Sequence, residues 1–81
     1  MHLRLVFASN LKRLRSEYGL SQSNLALRAG LNRSYLSRLE NGKNDPGLEI
    51  VAKLAKVLGV TPAKLLDEEQ AHQSEHKAAI E

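Results

Sequence analysis

The sequence predicts an all-α protein, a compact bundle of five short helices. Gly19, Gly30, Gly42 and Gly59 recur every 11 to 17 residues, with Pro46-Gly47 as a further break, and the stretches between them space their apolar residues by three and four. No segment alternates as a strand would. At 81 residues and 42% apolar content the chain can fill one small core. Having no cysteine, it cannot staple that core with disulfides or a thiolate zinc site, so packing must hold it, as suits a reducing cytoplasm.

The first helix, about residues 3 to 17, places Leu3, Phe7, Leu11, Leu14 and Tyr18 on one stripe that should face the core. Gly19 ends it. Ser21 can cap the second helix, about 22 to 29, by accepting from a backbone amide left without a helical partner, and Leu25, Ala26 and Ala29 form its inner face. Gly30 can take positive φ in the turn that follows, and Asn32 caps a third helix over about 33 to 40. The fourth runs from about 48 to 58 with Val51, Leu54, Ala55 and Leu58 inward. The fifth starts at Thr61-Pro62, a cap followed by proline at the first helical position, and carries Leu65 and Leu66. These elements form one domain over residues 1–67. Residues 68–81, EEQAHQSEHKAAIE, have little to bury and are expected to be a helical extension or a disordered tail.

Charge is divided unevenly. Residues 1–66 hold eleven Lys/Arg against four Asp/Glu, or +7, whereas residues 67–81 hold one against five, or −4. A basic compact body attracts polyanions. The uninterrupted apolar run Leu5 to Ala8 is far too short for a signal segment or a membrane span, so a soluble cytoplasmic protein is expected.

The third helix concentrates the chemistry. At about 100° per residue, Arg33, Ser37, Ser34 and Arg38 fall at roughly 0, 40, 100 and 140°, with Leu39 and Leu36 at roughly 240 and 300°. Four polar side chains thus project together from a helix backed by leucines, with Tyr35 and Glu40 on the boundaries. A polar face alone would describe any surface helix.

This helix does not stand alone, however. The segment Gln22 to Glu40 resembles the helix-turn-helix of the phage-repressor-like (Cro/Xre-type) DNA-binding family: Leu25 and the small Ala26 lie where the second helix must approach, Gly30 takes the turn, and Leu31, Leu36 and Leu39 follow in place. The resemblance continues through NLKRLR (10–15), GLSQ (19–22), LENGK (39–43) and LAKVLGVTPAKLL (54–66), covering nearly all of the basic body. NRSYLSRLE is also similar to the small controller proteins of restriction-modification systems.

The resemblance implies a lambda-repressor-like fold and a sequence-specific regulator of transcription whose recognition helix, about 33–40, enters the major groove of double-stranded DNA. Base contacts then fall to Asn32, Arg33, Ser34, Ser37 and Arg38. The two arginines are the strongest candidates, because a guanidinium donates two parallel bonds to guanine O6 and N7. Phosphate contacts fall to Gln22 at the start of the second helix, to Tyr35, and to Asn41, Lys43 and Asn44 in the loop after the recognition helix. Arg15 and Glu40 match an internal ion pair of the family and are expected to be structural.

Ile50 and Val57 lie one heptad apart on the flank of the fourth helix, with no obvious partner in so small a fold. With Leu65 and Leu66 they are expected to form the interface of a homodimer that binds a pseudo-palindromic operator. HQSEH (72–76) fits the H-x-x-E-H zincin pattern, but only five residues follow it to supply a third ligand, and no nucleophile elbow or phosphate loop is present. No enzyme, metal or cofactor is therefore expected. The rival reading is a helix-turn-helix scaffold used as a protein-interaction module, an antitoxin or coactivator partner, against which the +7 body and the Arg/Ser face both argue.

Overall fold

A computed structural model describes residues 2–69. It contains helices α1 (Leu3–Tyr18), α2 (Gln22–Ala29), α3 (Arg33–Glu40), α4 (Leu48–Leu58) and α5 (Pro62–Leu65), and no strand among the described residues. The local signals act as expected. Ser21 Oγ accepts from Asn24 N at 3.0 Å and Asn32 Oδ1 from Ser34 N at 2.8 Å, satisfying amides that have no partner within the helix. Thr61 stands at the N-cap of α5 with Pro62 behind it, although its side chain makes no capping bond.

α1 packs against α3, α4 and α5, while α2 lies on α3 and α4. Their inward residues make one core of Phe7, Leu11 and Leu14 from α1, Leu25, Ala26 and Ala29 from α2, Leu36 and Leu39 from α3, and Val51, Leu54, Ala55 and Leu58 from α4, joined by Leu20 and Leu65. Fully burying one such leucine contributes roughly 1.5–3 kcal/mol.

The stripe of α1 is shorter than its spacing implies. Leu3 is 59% exposed and Tyr18 50% exposed, because α1 has 16 residues and the helices packed on its middle have four to eleven, so its ends overhang them. Val6 and Asn10, absent from that stripe, are buried instead. Asn10 clamps the end of α5: its Nδ2 donates to the carbonyls of Leu65 and Asp67, both at 3.0 Å.

This clamp corrects the reading of Leu65. Its side chain has no exposure, being held in the core of its own chain, and it cannot belong to an interface. Ile50, Val57 and Leu66 are half-buried, resting on the core with part of each side chain at the surface.

Candidate nucleic-acid interface

Two helices must meet closely for α3 to be presented, and the turn between them is built for it. Gly30 adopts φ 68°, the left-handed conformation that costs a residue with Cβ, while Leu31 N donates to Ala26 O at 2.8 Å. The small Ala26 then lets α3 approach α2. Leu36 and Leu39 are wholly buried, so α3 can expose only its other face.

That face carries Arg33, Ser34 and Arg38 exposed and Ser37 half-buried. The expected grouping is therefore present, with two refinements. The Arg38 guanidinium carbon lies 6.0 Å from the centre of the Tyr35 ring, at the outer limit of a cation–π contact, and half-buried Tyr35 links it to the core. Asn41 Nδ2 approaches Ser37 Oγ at 3.5 Å, so the serine is bracketed by the loop that follows. Asn32 has committed its amide oxygen to capping α3, with a second, longer contact from Tyr35 N at 3.4 Å.

The orientation of α3 is fixed at its far end by a buried carboxylate. Glu40 is 3% exposed, and Arg15 of α1 grips it with two bonds, Nε to Oε2 at 2.6 Å and Nη2 to Oε1 at 3.0 Å. Arg15 Nη1 also donates to Leu20 O at 2.9 Å. The bond to Glu40, aided by Coulomb attraction, outweighs desolvation and raises the Arg15 pKa above its ordinary value. A raised basic pKa leaves the pairing energy fully present below the ordinary arginine value, so it is lost only in strong alkali. Arg15 and Glu40 thus form the internal pair expected from the sequence.

Gln22 joins the same network, which no spacing in the sequence reveals. Its Nε2 donates to Glu40 Oε1 at 3.0 Å, so one amide proton is used inside the protein and one remains for a ligand. The backbone amides of Gln22 and Ser23 stand in the first turn of α2, at its positive end. One carboxylate therefore ties together α1, the start of α2 and the end of α3.

The loop after α3 is braced from α1. Gly42 takes φ 69°, and a Cβ placed there would run into Leu5 Cδ2. Its amide donates to Leu39 O at 3.2 Å and that of Lys43 to Arg38 O at 3.0 Å, closing the helix end. Asn41 and Lys43 are exposed and Asn44 half-buried on this loop. Arg4 reaches Asp45 at 4.0 Å across exposed surface. The contact between Leu5 and Gly42 escaped the sequence reading, which took Gly42 only as a break between helices, since a close approach between residues 37 apart leaves only the glycine as a trace.

HQSEH lies outside the described residues. Among those described, no three His, Cys, Asp or Glu side chains are grouped to hold a metal ion, and no helix is long and apolar enough to cross a membrane.

A short turn, a helix locked at both ends and a cationic outward face define a DNA-binding regulator of transcription. The chain belongs to the helix-turn-helix family, whose model matches residues 11–65. It is 37% identical over 67 residues to control protein C.BamHI of Bacillus amyloliquefaciens, spanning 82% of this chain and 83% of that protein. An uncharacterized HTH-type transcriptional regulator of Sinorhizobium fredii, y4dJ, is 39% identical over 66 residues, 82% of this chain and 86% of its own. Among solved structures, the restriction-modification controller protein C.AhdI of Aeromonas hydrophila superposes with a TM-score of 0.74 at 39% identity, covering 76% of this chain and 94% of that one.

Proposed function

We propose that residues 1–67 act as a cytoplasmic homodimeric regulator that reads a pseudo-palindromic operator, with residues 68–81 as an acidic extension. The observation that carries this reading is the outward face of α3, where Arg33, Ser34 and Arg38 are exposed while Leu36 and Leu39 are wholly buried behind them. Arg33 and Arg38 read base edges, assisted by Ser34, Ser37 and the free amide protons of Asn32. Lys43, Asn41, Asn44 and Tyr35 hold phosphates beside α3, and Gln22 holds another through its second amide proton and the start of α2. The likeness to C.BamHI and C.AhdI supports a role as the controller of a restriction-modification system.

Dimerisation through Ile50, Val57 and Leu66 would place two copies of α3 about one duplex turn apart, roughly 34 Å. Selection of duplexes from a random pool, followed by titration of the selected site at several salt concentrations, tests the reading. A pseudo-palindromic consensus and a steep negative salt slope are expected. An interaction module would select no consensus and show almost no slope.

A further inference from the structure

Away from α3, a shallow groove of about 470 Å³ lies between α2 and α4, lined by Arg28, Lys53 and Lys56 over Ala29 and Val57. No residue of α3 or of the 41–45 loop borders it, so these three cations stand apart from the DNA-reading face. The ion pairs among the described residues are Arg4–Asp45, Arg13–Glu17 and Arg15–Glu40, which leaves Arg28, Lys53 and Lys56 with no carboxylate within 4.0 Å. Three like charges around one apolar floor repel one another and favour an anionic occupant.

The chain carries a feature of complementary charge after α5. Half-buried Leu66 is followed by Asp67, Glu68 and Glu69, of which Asp67 Oδ1 accepts from Glu69 N at 3.0 Å while the Glu68 and Glu69 side chains are exposed. Val57 is an apolar residue bordered by bases, and Leu66 is an apolar residue followed by acids. A two-fold interface uses each patch twice, so a patch holding both halves of an attractive pair is self-complementary.

We propose that Glu68 and Glu69 of each protomer dock on Arg28, Lys53 and Lys56 of a second copy, forming a reciprocal charged latch around the Val57–Leu66 contact. The latch rests on the dimer proposed above. It gives the interface a polar rim that selects this partner and orientation, whereas the apolar strip alone would be less particular. It also makes dimerisation, and not DNA binding alone, weaken with salt.

Sedimentation equilibrium of the full chain without DNA provides the test, using Lys53→Glu/Lys56→Glu and Glu68→Lys/Glu69→Lys variants whose helicity is first checked by circular dichroism. All four positions are exposed, so both variants should fold. Each alone should dimerise at least about tenfold more weakly than wild type, since several rim pairs are lost and replaced by like charges. An equimolar mixture should recover dimers toward the wild-type level, because the heterodimer restores one latch with its native signs and the other with the signs of residues 53, 56, 68 and 69 exchanged. If wild type dimerises but the mixture stays as monomeric as its components, the latch is wrong and the dimer stands. A wild-type monomer at micromolar concentration removes the dimer and the latch with it.

Discussion

α3 and α4 are both amphipathic and both anchored by fully buried leucines, yet their outward faces differ in kind. α3 presents arginines and serines, and its far end is fastened by the buried Glu40; α4 presents the half-buried Ile50 and Val57 between exposed lysines and has no comparable polar lock. A base-reading side chain must be held in register by its helix, because an error of about 1 Å breaks paired hydrogen bonds. An apolar strip tolerates more adjustment. Among the described residues the one buried ion pair accordingly stands behind α3, where orientation matters.

The largest expected effect breaks that lock. Glu40→Ala strands the Arg15 guanidinium and the Gln22 amide, and Arg15→Ala leaves a buried carboxylate without its cation; each should cost roughly 3–5 kcal/mol in urea unfolding. The double change should cost clearly less than the sum, whereas strict additivity would show that the two act separately. For comparison, Val57→Asp on α4 should leave the melting temperature much closer to wild type and instead shift the sedimentation equilibrium toward monomer.

Gly42→Ala comes next, because it combines an unfavourable positive φ with a collision against Leu5, for roughly 1–3 kcal/mol. In a Leu5→Ala background the collision disappears and only the backbone cost, about 1 kcal/mol, should remain. An undiminished penalty there would mean that Leu5 does not brace the loop. Smaller again is Lys43→Ala, which should weaken binding to all duplexes similarly and lower the magnitude of the salt slope by about one. At the bottom, Asp45→Ala removes an exposed pair at 4.0 Å and should move thermal stability by no more than about 0.5 kcal/mol.

What the sequence disclosed follows the same division between local and distant causes. Ser21, Asn32 and the glycines act within one turn, and the five helices fall within a residue or so of the spans they mark. The polar face of α3 was legible for the same reason, since helical spacing alone groups Arg33, Ser34, Ser37 and Arg38. Coverage of helix ends depends instead on how long the neighbouring helices are, so Leu3 and Tyr18 read as core and lie exposed, while Leu65 read as surface and lies buried. Asn10 and Gln22 were hidden more deeply: their partners are 55 and 18 residues away, and a polar residue destined for burial has no periodicity of its own. The Arg15–Glu40 pair became legible only through the family resemblance.

The central claim is that α3 reads sequence through Arg33 and Arg38, and competition binding against single-base variants of the selected operator tests it most directly. Arg33→Ala and Arg38→Ala should each weaken binding to the best site by roughly 1–3 kcal/mol and each flatten discrimination at its own base pair, leaving the ranking at other positions unchanged. Arginine mutants that both keep the full wild-type ranking of variants would contradict the claim.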